Sequence, residues 1–264
     1  MESTPLNRRH LLIATVGLLV PLSGHTQEQD PLLPFDELQR GDPDGVDESV
    51  RVDPTAVADI VNGAGRAVFN PRNQEFPSKL LEVSQRFLGM DRDANRAEIT
   101  AFLGLFDLPF ETAGKPIAYC ACGLGYAAAL AYQEFWNPSR KPEENASSGA
   151  LRESRPELDR YHFYPTPSVR DMYSVASGKR RWLEAATATA KPKPKPGYVV
   201  VFSFGRDANH CGIVESATDE SLTTIEFNTT SGVAGDQRNG GVVARRVRAY
   251  NHQIKGFIAT DSRV

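Results

Sequence analysis

The chain has 264 residues, of which 40% are hydrophobic and 24% are charged, and its formal net charge at neutral pH is −3. This balance argues against the clustered basic surface that nucleic-acid binding requires, so we expect no nucleic-acid partner. The length suffices for one domain of roughly 150–190 residues with appended segments. Three cysteines are too few and too unevenly placed for a disulfide framework. Because their number is odd, we expect at least one thiol to be free or paired between chains.

The first residues are typical of an export signal. Arg8 and Arg9 precede an apolar run from Leu11 to Leu22, which is too short for a membrane span of about 20 residues but suits the core of a signal peptide. The stretch from Asn7 to Leu12 is similar to a twin-arginine signal, with a general secretory signal or an uncleaved anchor as alternatives. We therefore predict an export signal over residues 1–27, a periplasmic or secreted protein, and no stable membrane span after signal removal.

A linker and a helical region are predicted next. Residues 28–76 are rich in Asp, Glu, Pro and Gly with few clustered apolar residues, which predicts a disordered linker before a folded domain over residues 77–264. Helical patterns within that domain cover residues 78–88, 96–105, 121–135, 155–161 and 168–178. The third of these segments is apolar on nearly all sides, which is typical of a helix buried in a core.

After Gly197 the pattern changes to β-rich runs that are separated by Gly, Asn and Asp clusters. The predicted strands are Tyr198–Phe204, His210–Ser216, Leu222–Asn228, Val242–Arg248 and Ile254–Ala259. Strands so close in sequence pair antiparallel, because parallel pairs need long crossovers. We therefore predict an α+β fold in which N-terminal helices pack on an antiparallel sheet of about five to six strands. The basic pair Arg245–Arg246 is interpreted as solvated surface.

Cys120 is the candidate nucleophile, because it lies where a loop meets the buried helix. At a helix N-terminus the unpaired N–H groups and the helix dipole favour a thiolate, and the same N–H groups can stabilise an oxyanion beside the sulfur. Cys122 follows about 200° further round the helix and is expected to face elsewhere. Cys122 and Cys211 are interpreted as core residues, with a disulfide between them as the alternative.

His210 is the candidate base, because it alone of the five histidines opens a predicted strand, where its side chain can meet a helix end packed on the sheet. On the next strand, period-2 alternation places Glu226 and Asn228 on one face, with Ile225 and Phe227 opposite. Either polar side chain can accept the imidazole Nδ1–H and fix the tautomer, as the third member of a catalytic triad does.

A zinc site is the competing interpretation of these residues. Cys120, Cys122, His210 and Cys211 offer potential zinc ligands, but their spacing departs from the C-x₂₋₄-C pairs of structural sites. They would also have to converge from opposite faces. We therefore predict that no metal or cofactor is needed.

Several segments occur in the same order as in the CHAP amidohydrolases. They are Cys120–Ala121 at a helix start, Gly197–Phe202, Asn209–Val214, Thr224–Ser231, Gly240–Val243 and Ile254–Ile258. Over residues 78–260 the chain therefore resembles this group of the NlpC/P60-like cysteine peptidases, which have a papain-like core. Many members carry Trp before the nucleophile, where this chain has Tyr119.

The resemblance implies an enzyme that cleaves amide bonds in peptidoglycan peptide, as an N-acetylmuramoyl-L-alanine amidase or as a peptidoglycan endopeptidase. It implies that Cys120 is the nucleophile, His210 the general base, Glu226 the orienting residue and Asn228 a supporting polar group. A catalytically silent module of the same fold that binds the cell envelope is the alternative.

Overall fold

A computed structural model describes residues 74–185, 193–205, 207–232 and 236–261. The predicted export signal and all but the last three residues of the predicted linker lie outside the described residues. Within the described ranges, no helix combines the length and the apolar character needed to cross a membrane.

Helices come first in the described chain and strands dominate its second half. The helices are α1 (Phe76–Gln85), α2 (Arg96–Gly104), α3 (Cys120–Trp136), α4 (Pro142–Asn145), α5 (Ser148–Tyr161) and α6 (Val169–Gly178). The strands are β1 (Glu111–Thr112), β2 (Lys115–Pro116), β3 (Trp182–Glu184), β4 (Val199–Phe202), β5 (His210–Ala217), β6 (Ser221–Thr229), β7 (Val242–Ala249) and β8 (Ile254–Ile258).

One six-stranded sheet has the strand order β3-β8-β4-β5-β6-β7, and β1 pairs with β2 in a separate two-stranded ribbon. Each neighbouring pair in the large sheet is antiparallel. The predicted α+β class with helices and an antiparallel sheet is therefore confirmed. Strand β3 and the β1–β2 ribbon were not predicted, because strands of two or three residues are too short to show an alternation of apolar and polar residues.

An apolar cluster packs on each face of the sheet. Alternation along β4 sends Val199 and Val201 into the core under the helices, and Val200 and Phe202 into a second cluster on the opposite face. All four residues are buried, which explains why β4 is a continuous apolar run in the sequence. The strands that carry the candidate site are thus held from both sides.

Helix α3 packs closely against its neighbours, because Gly123 allows it to approach the sheet and Gly125 allows it to approach the segment after α2. A Cβ atom at Gly123 would lie 2.3 Å from Cδ1 of Phe227 on β6, and one at Gly125 would lie 2.7 Å from Cζ of Phe106. Larger residues at these positions would push the helix away from its neighbours. The close packing brings the first turn of α3, and with it Cys120, against the sheet.

Helix α5 is longer than predicted. It begins at Ser148, with the Ser147 hydroxyl accepting a hydrogen bond from the Ala150 N–H, whereas the sequence pattern predicted a helix only from Arg155. The start of that prediction was wrong, because buried contacts of Ala150 and Leu151 stabilise a helix that its polar composition does not favour.

Candidate active site

Cys120 is the first residue of α3 and is 3% exposed. No side chain caps this helix start, so the N–H groups of its first turn are left without side-chain partners. The N–H of Ala121 is directed at the Cys120 sulfur and helps to lower the pKa of this thiol. The helix start therefore supplies the environment that the sequence predicted for a thiolate.

Two side chains from the start of β5 lie beside Cys120. The thiol of Cys211 interacts with the Cys120 sulfur, and this contact, opposed by burial and reinforced by His210, holds the pKa of Cys120 well below its usual value. The same contact together with burial raises the pKa of Cys211. Cys120 is thus the thiolate of the pair, and Cys211 is the neutral thiol.

All three cysteines are free, so the alternative of a Cys122–Cys211 disulfide was wrong. Cys122 is fully buried in the core under the helices, and burial raises the pKa of its thiol. Cys211 packs in that same core, while His210 stacks on Phe202 of the opposite cluster, as strand alternation requires. Among the residues that the structure describes, no group of three or more His, Cys, Asp or Glu side chains could hold a metal ion.

His210 is the first residue of β5 and is fully buried. Its Nε2 lies 3.0 Å from Oε2 of Glu226, whereas its Nδ1 is buried without a hydrogen bond of standard geometry. The prediction that the third residue accepts the Nδ1–H was therefore wrong. Glu226 pairs with Gly212, which lies two residues beyond His210 along the strand. Its carboxylate therefore meets Nε2, the ring nitrogen more distant from the His210 backbone. Nδ1 is the ring nitrogen that Glu226 leaves unbound.

The pKa of His210 is raised to about 9. Burial alone would lower it, but the interactions with Cys120 and Glu226 favour the imidazolium and outweigh the loss of water. A lowered pKa on the thiol and a raised pKa on the imidazole together describe a thiolate–imidazolium pair at neutral pH.

Glu226 is a fully buried carboxylate with a complete set of donors. Arg248 donates from Nε to Oε1 at 2.8 Å and from Nη2 to Oε2 at 2.5 Å, and the Thr224 hydroxyl donates to Oε1 at 2.7 Å. Burial raises the pKa of this carboxyl, but Arg248 and His210 outweigh that effect and bring it to about 2. Glu226 is therefore ionised and can hold the imidazolium in place.

Gly212 leaves the space that Glu226 occupies. It lies directly opposite Glu226 in the β5–β6 register, and a Cβ atom there would lie 2.7 Å from Cγ of Glu226. The missing side chain lets the glutamate lie flat over β5 and reach His210. The glycine that follows the histidine and cysteine in the sequence thus has a defined role in the site.

We expect Gly212→Ala to move Glu226 away from His210 and to lower any Cys120-dependent activity by about 10²-fold, because small displacements in a catalytic group are costly. The strain should also lower the free energy of unfolding by about 1–3 kcal/mol. Urea unfolding and an activity assay would measure both effects. Gly149→Ala is the matched control, since a Cβ atom there meets nothing within 4 Å, and it should change neither quantity adversely.

An aromatic pair supports the imidazole. The ring of His210 lies 5.8 Å from that of Phe202 and 5.7 Å from that of Phe204, and the two phenylalanine rings stack at 5.5 Å. Asn209 fixes Phe204 by accepting a hydrogen bond from its N–H at 3.0 Å and donating to its carbonyl at 3.2 Å. The loop between β4 and β5 therefore holds the base from the side opposite the helices.

Strand alternation predicted that Asn228 would lie on one face with Glu226 as a possible partner of His210, but its side chain has other partners. Its φ of 58° and a register irregularity between Glu226 and Thr229 break the period-2 pattern of β6. Its side chain accepts from Nη2 of Arg92 at 2.5 Å and donates to Asn239 Oδ1 and the Arg238 carbonyl; in the described chain it does not bond to His210. The hydrogen bonds of Asn228 thus hold the loop before β7 in place and do not orient His210.

Tyr119 connects that loop to the nucleophile. Its hydroxyl donates to the Gly241 carbonyl at 2.8 Å, and the guanidinium of Arg92 lies 5.4 Å from its ring centre. Because Tyr119 immediately precedes Cys120, these contacts fix the backbone from which the nucleophile starts. Asn228 can therefore support the site only indirectly, through Arg92 and Tyr119.

Sequence reasoning missed Cys211, Thr224 and Arg248. A signal for Arg248 was available, because alternation on β7 places it with Arg246 on one face of a strand whose neighbour carries Glu226. The interpretation of Arg245–Arg246 as solvated surface was wrong for Arg246, which is buried. Arg245 is exposed and pairs with Glu215, as a surface residue does.

The structure brings Cys120, His210 and Glu226 together in one buried cluster and leaves Asn228 outside it. A thiolate beside an imidazolium whose Nε2 is held by a carboxylate can perform nucleophilic attack followed by proton transfer.

No family model, curated protein or solved structure matches this chain at a significant level.

Proposed function

We propose that this chain is an exported thiol hydrolase that cleaves amide bonds in peptidoglycan, with a papain-like core of the CHAP type. One observation carries the proposal. Cys120 begins a buried helix beside His210, and Glu226 holds the far nitrogen of that histidine at 3.0 Å. These are the residues for which the resemblance implies nucleophile, base and orienting group. The peptidoglycan substrate and the periplasmic or secreted location follow from the resemblance and from the signal-like residues 1–27.

The proposed reaction has two steps and needs no cofactor. The Cys120 thiolate attacks the amide carbonyl carbon, and N–H groups of the first turn of α3 stabilise the oxyanion. His210 gives its Nδ1 proton to the departing amine, the C–N bond breaks, and an acyl thioester remains on Cys120. Water then attacks the thioester and gives a proton to Nδ1, the C–S bond breaks, and the acid and the thiolate are released.

The pKa shifts predict different pH profiles for two reactions of Cys120. Hydrolysis needs both the thiolate and the imidazolium, so it should be constant across neutral pH and fall as pH rises through about 9, where His210 loses its proton. Alkylation by iodoacetamide needs only the thiolate and should persist above that pH. Both rates are to be measured on one preparation. A parallel decline of alkylation and hydrolysis near pH 9 would contradict this assignment.

The direct test is incubation of the full chain with purified peptidoglycan sacculi, followed by mass spectrometry of the released muropeptides. We expect products with a newly formed amine and carboxylate, and their masses distinguish cleavage next to muramic acid from cleavage within the peptide. Sacculi that remain chemically unchanged after prolonged incubation would contradict the proposal.

The burial of the site favours a second candidate, a catalytically silent module that binds the envelope. Cys120 is 3% exposed and His210 is fully buried, so a substrate needs a displacement to reach the sulfur. Such a module would sediment with sacculi without releasing muropeptides, and its Cys120 would resist iodoacetamide near neutral pH. Rapid and selective alkylation of Cys120 would favour the hydrolase.

A further inference from the structure

Arg248 makes the closest contacts to the carboxylate that orients the base. Its guanidinium binds both oxygens of Glu226, at 2.8 and 2.5 Å, and donates from Nη1 to Oε1 of Gln237 at 2.9 Å. The same group lies 5.5 Å from the ring centre of Phe202 and 5.6 Å from that of Phe204. Arg248 thus rests on the aromatic pair that also supports His210.

Without Arg248 the buried cluster would carry an uncompensated negative charge. A thiolate at Cys120 and an imidazolium at His210 cancel, but the ionised Glu226 leaves one negative charge among groups that are almost entirely buried. A buried charge without compensation is costly, and the cluster can remove it by taking up one proton. The thiolate is the group that would accept this proton, because the imidazolium is already protonated and Glu226 still has His210 and the Thr224 hydroxyl as hydrogen-bond donors.

We propose that Arg248 is a positioning residue that keeps Cys120 in its thiolate form, because its charge neutralises Glu226 and leaves the thiolate–imidazolium pair free of excess negative charge. The inference rests on the proposed function in taking Cys120 as the nucleophile. A neutral third residue would add no negative charge to the cluster, whereas the ionised Glu226 adds one that Arg248 neutralises.

Other charged and titratable groups face the cluster from the packed elements. Arg246 lies near Glu226, but its guanidinium donates to the Thr230 carbonyl and to Gln237 Oε1 rather than to the carboxylate. Cys211 and Cys122 are neutral thiols, since burial and the nearby Cys120 raise the pKa of each. Within the described chain, Arg248 is therefore the cation bonded directly to both carboxylate oxygens.

Arginine fits this position for its shape as well as its charge. The planar guanidinium matches both carboxylate oxygens at once and lies against aromatic rings, and a lysine ammonium does neither as well. Arg248→Lys keeps the charge and loses the two-pronged contact. It should therefore preserve most of the thiolate while weakening the hold on Glu226.

The test is a pH titration of thiolate ultraviolet absorbance in the full chain, with the Cys120→Ser form of each variant as baseline. In Arg248→Met we expect the pKa of Cys120 to rise by at least about one unit, which lowers the thiolate fraction in its titration range about tenfold. In the double variant Glu226→Gln/Arg248→Met the cluster is neutral again, so the thiolate should return. Arg245→Met removes an exposed arginine–glutamate pair on the same strand and should not change the titration.

Two results would overturn the inference. One is an unchanged thiolate titration in Arg248→Met. The other is a folded Glu226→Gln/Arg248→Met variant whose Cys120 stays protonated, which would mean that Arg248 acts through packing alone. If Arg248→Met does not fold, the double variant and Arg248→Lys decide the question, since the inference requires a thiolate in both. A wild-type chain with a thiolate but no muropeptide release would contradict the proposed function and leave the role of Arg248 standing.

Discussion

Replacing Cys120 by alanine should lower muropeptide release by on the order of 10³-fold or more while leaving the fold intact. In the proposed reaction the Cys120 sulfur forms the thioester, so its removal takes away the atom on which both steps depend. Cys122→Ala is the matched control, because Cys122 lies two residues further along α3, is fully buried in the core and has a raised pKa. Release is to be measured by mass spectrometry of muropeptides, with near-ultraviolet circular dichroism to show that each variant is folded.

Two outcomes of this comparison would contradict the assignment of Cys120 as the nucleophile. A folded Cys120→Ala chain that still releases muropeptides would exclude Cys120 as the nucleophile. Equal loss of release in Cys120→Ala and a folded Cys122→Ala would mean that the helix start, rather than the thiolate, is what the reaction needs.

Replacing Glu226 by alanine should destabilise the fold by about 3–5 kcal/mol at neutral pH, because it leaves the largely buried charge of Arg248 without its anion and removes one of the two groups that stabilise the His210 imidazolium. Release should fall as well, since His210 loses the group that holds Nε2. Urea unfolding would measure the stability. Glu215→Ala removes a carboxylate that pairs with the exposed Arg245, and it should cost at most about 1 kcal/mol.

The stability difference between wild type and Glu226→Ala should depend on pH with a definite sign. The pKa of Glu226 is about 2 in the folded chain, below its ordinary value of 4.5. Its stabilising contribution is therefore complete above pH 4.5 and is lost as pH falls toward 2. The two unfolding curves should approach each other in acid. A difference that is constant or grows over that range would show that Glu226 is not held as a buried carboxylate.

Local patterns were sufficient to predict three members of the cluster. Cys120 precedes a run of apolar helix formers, His210 follows a turn and starts a β-rich segment, and Glu226 alternates with apolar neighbours on the next strand. Each of these signals lies within a few residues of the group concerned. Because adjacent antiparallel strands place such groups side by side, the pattern also predicted that His210 would meet Glu226 or Asn228, and the resemblance implied Glu226.

The other features depend on contacts between distant parts of the chain. Asn228 adopts a left-handed backbone conformation that strand alternation does not reveal, and its partner Arg92 is 136 residues away in sequence. Arg248 reaches Glu226 across the β6–β7 pair. Cys211 follows its strand pattern, but only the close approach of α3 to the sheet shows that its thiol touches Cys120.

The proposed function makes Cys120 the reactive thiolate of a hydrolytic pair. The measurement that tests it most directly is a time course of iodoacetamide treatment of the full chain near neutral pH, with peptide mapping of all three cysteines and muropeptide release assayed in the same samples. We predict that Cys120 is alkylated first and that release declines in step, while Cys122 and Cys211 stay unmodified. Uniformly slow alkylation of the three thiols, or release that survives modification of Cys120, would contradict the claim.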